Sequence, residues 1–104
     1  MELQLEQTNA NNILENNNYV MLDFYADWCG PCQTLLPTIH KLADELEDTI
    51  TIKKVNVDEN QELAAKFGIR NIPSLIFFKN GQVIDKHTGL ITEKNLRNKI
   101  ERLQ

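Results

Sequence analysis

Cys29 and Cys32 are the only cysteines in this chain of 104 residues, and two residues separate them. Such a pair suits a metal site, structural thiols or a redox-active dithiol. A structural zinc site needs four ligands, and neither His40 nor His87 lies at a zinc-site spacing from the cysteines. A secreted disulfide scaffold would need more cysteines at wider spacing. The pattern therefore favours redox chemistry with no bound metal, and the two histidines are interpreted as solvated surface residues.

The cysteines lie where a buried strand is followed by a helix. Tyr19–Ala26 is a nearly continuous apolar run, which is typical of a strand buried on both faces, and from Pro31 apolar residues recur at helical spacing. Cys29 then stands at the helix N-terminus, where free amides and the helix dipole favour the nucleophilic thiolate. Cys32 follows one turn later on the same face. The predicted cycle is attack by Cys29 on a substrate disulfide, a mixed disulfide, and release by Cys32.

The rest of the chain alternates between strand and helix patterns. The predicted elements are an edge strand over 3–6, a helix over 8–17 capped by Thr8, a strand over 50–57, a short helix capped by Asn60 and ended by Gly68, a strand over 75–78, a hairpin turn at Asn80-Gly81, a strand over 82–88 and a last helix capped by Thr92. The sequence therefore predicts one α/β domain over 1–104. Its central mixed sheet has about five strands, and about four helices flank it.

Five separated segments resemble the thioredoxin family. They are Asp23–Cys32 with its Trp-Cys-Gly-Pro-Cys motif, the helix residue Pro37, Lys54–Asp58, Gly68–Ser74 and Phe78–Gly81, and Gly89 also matches. The chain departs from the family pattern in having Tyr25 for Trp, Gln33 for a basic residue and Ser74 for Thr. The resemblance implies the thioredoxin fold and a protein-disulfide reductase whose only redox group is the Cys29–Cys32 disulfide.

Asp23 interrupts the apolar strand, so its side chain is predicted to be buried, with a raised pKa. The functional interpretation is a proton acceptor for Cys32, and the alternative is a structural Asp that touches water at the end of the sheet. The resemblance implies that Lys54 lies beside Asp23 and tunes it, and that the Ile72-Pro73 bond is cis. It also implies a substrate-binding surface of Trp28, Gly30, Pro31, Ile72, Pro73 and Gly89, although Trp28 could instead fill the core.

Charge and hydropathy narrow the function classes. The formal net charge is −4 with no basic patch, which argues against a nucleic-acid partner. No apolar run approaches the roughly 20 residues that cross a bilayer, and the N-terminus has no signal-peptide pattern, so we expect a cytoplasmic protein without a membrane partner. The resemblance implies a thioredoxin reductase and disulfide-containing target proteins as partners of a monomer. Two rival hypotheses are an oxidase or isomerase, which the Gly-Pro dipeptide disfavours, and a structural subunit that serves as a binding module.

Overall fold

The computed structural model describes residues 3–104, in which helices and strands alternate. In chain order the elements are α1 (Ala10–Asn16), β1 (Tyr19–Tyr25), α2 (Gly30–Glu45), β2 (Thr51–Asn56), α3 (Gln61–Lys66), β3 (Ser74–Lys79), β4 (Gln82–Thr88) and α4 (Glu93–Arg102). Within these residues four strands form one sheet in the order β2-β1-β3-β4. β1 and β2 are parallel, whereas β3 is antiparallel to both β1 and β4. The predicted α/β fold with a mixed sheet is confirmed.

The helix α2 connects the parallel strands β1 and β2 and carries both cysteines at its start. Cys29 is the N-cap residue, and Pro31 lies in the first turn, where its missing N–H removes no helical hydrogen bond. The buried side of the helix packs against the sheet through Leu35 and Ile39. This arrangement places the two sulfurs at the carboxyl end of β1, the edge at which α/β sheets hold their functional sites.

Two apolar clusters, one on each face of the sheet, make up most of the core. On one face Met21 and Phe77 pack with buried residues of α2 and α4. On the other, Leu22 and Phe78 pack with buried residues of α1 and α3. Because side chains alternate along a strand, Asp23 lies on the same face as Met21, the face that α2 covers.

Three local features follow from the residue types at the ends of elements. Asn80 and Gly81 both have positive φ, 51° and 81°, as a type I′ hairpin turn requires. Gly68, which follows α3 at φ 65°, ends that helix as predicted. The hydroxyl of Thr92 accepts a hydrogen bond from the amide of Asn95 at 3.1 Å, so Thr92 caps α4 as predicted.

The strand count was predicted one too high, because segment 3–6 does not form a strand. It makes a single isolated parallel bridge, Gln4 with Lys54, in which the Leu5 amide donates to the Lys54 carbonyl at 2.9 Å. The chain then turns away over residues 7–9 into α1, so no further pairs can form. The segment nevertheless lies against β2 and covers part of its edge.

One predicted helix cap was wrong, and a second has the predicted position but lacks the capping hydrogen bond. α1 begins at Ala10, so Asn9 and not Thr8 occupies the N-cap position, and the Asn9 side chain accepts from the Glu6 amide. Asn60 does precede α3, but its fully buried side chain makes no capping hydrogen bond. Its oxygen instead accepts from the Gln7 amide at 2.7 Å, which ties the N-terminal segment to the loop after β2.

Candidate redox site

Cys29 and Cys32 form a disulfide across the first turn of α2, with their Cα atoms 5.2 Å apart. Cys29 Sγ accepts a hydrogen bond from the backbone amide of Cys32 at 3.2 Å. The two sulfurs differ in access, because Cys29 retains 6% of its surface and Cys32 is completely buried. The structure therefore brings the two predicted residues together, leaves a small part of Cys29 accessible to solvent and directs a helix amide at its sulfur.

Asp23 is completely buried in β1, which makes the alternative of an Asp in contact with water wrong. Neither carboxylate oxygen has a hydrogen-bond partner among the described residues. Burial disfavours the charged form and raises the pKa of Asp23 to about 7, and the positive charge of Lys54 opposes this rise to a smaller extent. A carboxyl group on the α2 face of the sheet thus changes its charge close to neutral pH.

Lys54 is the direct neighbour of Asp23 across the parallel strands β1 and β2, as the family resemblance implied. Its ammonium group lies 5.5 Å from the ring centroid of Tyr25 and 3.3 Å from Nε2 of His40. The Tyr25 hydroxyl donates to Gln4 at 3.1 Å. The Lys54 side chain is therefore partly buried and contacts groups of β1 and α2.

Trp28 is 72% exposed, so it does not fill the core. Its indole Nε1 donates to a carboxylate oxygen of Asp58 at 2.8 Å, and the Asp58 amide donates to the side chain of Asn56 at 2.9 Å. These bonds fix an exposed aromatic ring beside the disulfide. The ring forms one wall of a shallow groove whose other walls include Val57 and Ile72.

The loop before β3 approaches the disulfide from the other side. The Ile72-Pro73 bond is cis, as expected, and the Ile72 carbonyl oxygen lies 3.8 Å from Cys29 Sγ. The Gly89 amide donates to the Pro73 carbonyl at 2.8 Å, which holds the end of β4 against this loop. Gly30 is exposed, and a Cβ built on it would meet no atom within 4 Å. All the residues of the predicted substrate surface therefore lie in segments that border the disulfide.

A sequence model of the thioredoxin family matches residues 2–102. The chain belongs to the thioredoxin family. It is 43% identical over 86 residues to a thioredoxin of Rickettsia prowazekii, a match that covers 83% of this chain and 82% of that protein. Thioredoxin 1 of a Nostoc species is 37% identical over 97 residues, with 93% and 91% covered. The structure of a mutant thioredoxin from Halobacterium salinarum superimposes with a TM-score of 0.87 at 39% identity and covers 98% of this chain and 88% of that one.

Membership of this family, together with the Cys29–Cys32 disulfide, makes the chain a thiol-disulfide oxidoreductase that acts on protein disulfides. In general its partners are disulfide-containing targets and a reductase. Residues 3–104 contain no cluster of His, Cys, Asp and Glu side chains that could hold a metal ion. In the same residues, no helix is long and apolar enough to cross a membrane.

Two residues near the site were not found by sequence reasoning. Asp58 follows β2 at the carboxyl edge of the sheet, and that position was a signal that could have singled it out as a partner for Trp28. His40 was interpreted as solvated surface. It is exposed, but its ring contacts Lys54, and this contact depends on how α2 packs over β2, which no local pattern reveals.

Proposed function

We propose that Cys29 is the nucleophile that attacks a target disulfide and that Cys32 is the resolving thiol. The observation that carries this assignment is the difference in access: Cys29 retains exposed surface, whereas Cys32 has none. The amide of Cys32, which donates to Cys29 Sγ, is positioned to stabilise negative charge on that sulfur. A target disulfide can approach Cys29 from solvent, whereas Cys32 is buried and reaches only Cys29 Sγ, the sulfur that it attacks to release the target.

The reaction then proceeds in two exchanges. The Cys29 thiolate attacks one sulfur of the target disulfide, forms a mixed disulfide and releases the first target sulfur as a thiolate. Cys32 loses its proton and attacks Cys29 Sγ, which breaks the mixed disulfide and releases the second target thiolate. Two electrons pass from the dithiol to the target, and the protein is left with its own Cys29–Cys32 disulfide.

Asp23 is the proposed proton acceptor for Cys32, directly or through water. A carboxyl group with a pKa of about 7 is ionised in part near neutrality and can take a proton there, which suits a general base. It lies on the sheet face that α2 covers, and Cys32 is a buried residue in the first turn of α2. Lys54 tunes this group, since its positive charge favours the carboxylate.

The substrate segment is proposed to bind across Trp28, Gly30, Pro31, Ile72, Pro73 and Gly89. The Ile72 backbone next to Cys29 offers hydrogen-bonding groups to an extended target chain, as in β-augmentation. The groove beside Trp28 offers apolar surface for a neighbouring target side chain. This surface therefore combines backbone recognition, which tolerates many sequences, with one apolar contact.

The proposal extends to where the protein acts, in what oligomeric state and with which partners. The chain acts as a single domain over 1–104 and as a cytoplasmic monomer, and a thioredoxin reductase returns its disulfide to the dithiol. It uses no cofactor other than the Cys29–Cys32 pair, and its partners include neither nucleic acid nor membrane. The relatives that bear the name thioredoxin support this setting.

Trapping experiments test the assignment of the two sulfurs. Cys32→Ser, incubated with oxidised insulin, should accumulate a mixed disulfide, because attack proceeds and release does not. Cys29→Ser is the matched control and should trap almost none. Wild-type protein should reduce insulin with dithiothreitol as the electron source, and neither variant should do so. Equal trapping by both variants, or more trapping by Cys29→Ser, would overturn the assignment.

A further inference from the structure

The Lys54 ammonium makes its close contact with His40 and not with Asp23. Lys54 Nζ lies 3.3 Å from His40 Nε2, whereas the oxygens of Asp23 have no hydrogen-bond partner among the described residues. This occurs although Lys54 and Asp23 are direct neighbours across the two strands. Lys54, whose charge lowers the pKa of Asp23, therefore makes its hydrogen-bond contact with the imidazole of α2.

The chemistry of the two groups decides which nitrogen donates and which accepts in this contact. A lysine ammonium has three donors and no acceptor, so the ring nitrogen that faces it must be the acceptor. In this contact Lys54 Nζ is therefore the donor and His40 Nε2 the acceptor. A doubly protonated imidazolium could not accept the bond and would repel the ammonium.

We propose that His40 is a positioning residue: its ring nitrogen accepts a hydrogen bond from Lys54 and keeps the ammonium from donating to Asp23. This inference rests on the proposed role of Asp23 as proton acceptor. A hydrogen bond from Lys54 would stabilise the carboxylate and lower its pKa, which would make it a weaker base for the Cys32 thiol. By holding Lys54 at a distance, His40 keeps the carboxyl group basic near neutral pH.

Charged and titratable groups lie on each element near this contact. On β1 they are Tyr25, whose ring centroid is 5.5 Å from Lys54 Nζ, and Asp23, the strand neighbour of Lys54. On α2 they are Lys41 and Asp44, which follow His40 in the helix, and on α4 Glu93, which pairs with Lys41. Lys41 is already paired with Glu93 at 3.2 Å, and Tyr25 stays neutral near pH 7 because burial raises the pKa of its phenol. Asp44 lies one helical turn after His40 and is exposed to solvent. Lys54 Nζ contacts His40 Nε2 and the face of the Tyr25 ring.

The test is the pH titration of the Asp23 carboxyl carbon by NMR in His40→Leu and His40→Gln. His40→Leu removes the acceptor, so Lys54 is free to donate to Asp23 and the midpoint should fall by about one pH unit. His40→Gln retains an acceptor oxygen and should keep the wild-type midpoint. His40 is exposed, so both variants should fold. An unchanged midpoint in His40→Leu, or equal shifts in both variants, would overturn the proposal.

A double variant tests whether His40 acts on Asp23 through Lys54 or through a general change in the structure. In Lys54→Met the ammonium is absent, so adding His40→Leu should leave the Asp23 midpoint where Lys54→Met alone puts it. A further shift in the double variant would show that His40 does not act through Lys54. His87→Leu is the matched control, since that ring faces the Leu90 carbonyl on another part of the molecule and should leave the midpoint unchanged.

The same variants distinguish this inference from the proposed function. In wild-type protein, the acid limb of the insulin-reduction rate should have the midpoint of the Asp23 titration, and His40→Leu should move both together. If NMR shows the shift and the rate profile does not move, His40 positions Lys54 but Asp23 is not the proton acceptor. If neither the NMR midpoint nor the rate profile moves in His40→Leu, the positioning role is wrong. The role of Asp23 is then tested by the activity of Asp23→Asn alone.

Discussion

Asp23 and Asp85 are both strand residues, but their surroundings differ in every respect. Asp23 is completely buried in β1, its carboxylate oxygens have no hydrogen-bond partner within residues 3–104, and burial raises its pKa to about 7. Asp85 in β4 is partly exposed, and its carboxylate lies 2.7 Å from the ammonium of Lys99. The hydrogen bond from Lys99, with a second from the Lys86 amide, lowers the pKa of Asp85.

The two environments give opposite contributions to stability. The pKa of Asp23 is higher in the folded protein, so stability falls as pH rises from the unfolded value toward about 7. The pKa of Asp85 is lower in the folded protein, so its contribution is present above the unfolded value and is lost as pH falls through the folded one. An ion pair with a cation stabilises the fold but lowers the pKa of the carboxyl group. A carboxylate that must take a proton near pH 7 therefore has to be left without such a partner.

The largest expected effect is that of Asp23→Ala. The variant lacks the buried carboxyl group, so its free energy of unfolding relative to wild type should rise by about 4 kcal/mol between about pH 3.5 and pH 8.5. The figure follows from about 1.4 kcal/mol for each pH unit between the model value of 3.8 and about 7. The void left by the mutation lowers the free energy of unfolding equally at both pH values, so it does not affect this change. Urea unfolding of both oxidised proteins across this range is the measurement, and a difference that does not change with pH would contradict the burial argument.

A smaller effect of opposite pH dependence is expected for Asp85→Asn. Loss of the ion pair with Lys99 should destabilise the protein at neutral pH by about 0.2 to 1 kcal/mol, the usual range for an exposed pair. The difference from wild type should disappear in acid, where the carboxyl group of Asp85 is protonated. The same unfolding series measures it, with Lys99→Gln as the matched control. A difference that grows toward acid pH would show that the comparison with Asp23 is wrong.

The smallest effect is expected at the surface network of α2 and α4. Arg97 contacts Glu45 on α2 and Glu93 on its own helix, and all three side chains are partly exposed to solvent. Arg97→Gln should lower the thermal midpoint only slightly, and 1 M NaCl should remove the difference, because salt screens exposed charges. The effect of Asp23→Ala should persist in the same salt, since burial of that carboxyl group excludes ions. If salt acted equally on both variants, burial would not be what distinguishes the two regions.

Local sequence patterns predicted the elements that hold the site, and tertiary contacts decided what they could not. Cys29 at a helix N-terminus, the positive φ at Asn80 and the cap at Thr92 depend on neighbouring residues, and all three were predicted correctly. The Asn60 side chain instead bonds a residue 53 positions away, and no local rule anticipates that choice.

The site shows the same division between local and tertiary information. The burial of Asp23 was visible because a charged residue interrupts an apolar strand. The contact of His40 with Lys54 was not visible, because it joins α2 to β2 and depends on how the helix packs over the sheet. Sequence reasoning therefore found the group that titrates but not the residue that we propose to control it.

The rate at which Cys32 releases a target from Cys29 tests the central claim, that Asp23 accepts the thiol proton, most directly. Reduced wild-type protein and Asp23→Asn are mixed with one equivalent of a fluorescent peptide disulfide, and the formation and decay of the mixed disulfide are followed in a single turnover. We predict equal formation rates and a decay in Asp23→Asn that is slower at neutral pH by about tenfold or more. The wild-type decay should accelerate as pH rises through about 7, where Asp23 ionises. Equal decay rates with the same pH dependence in both proteins would contradict the claim.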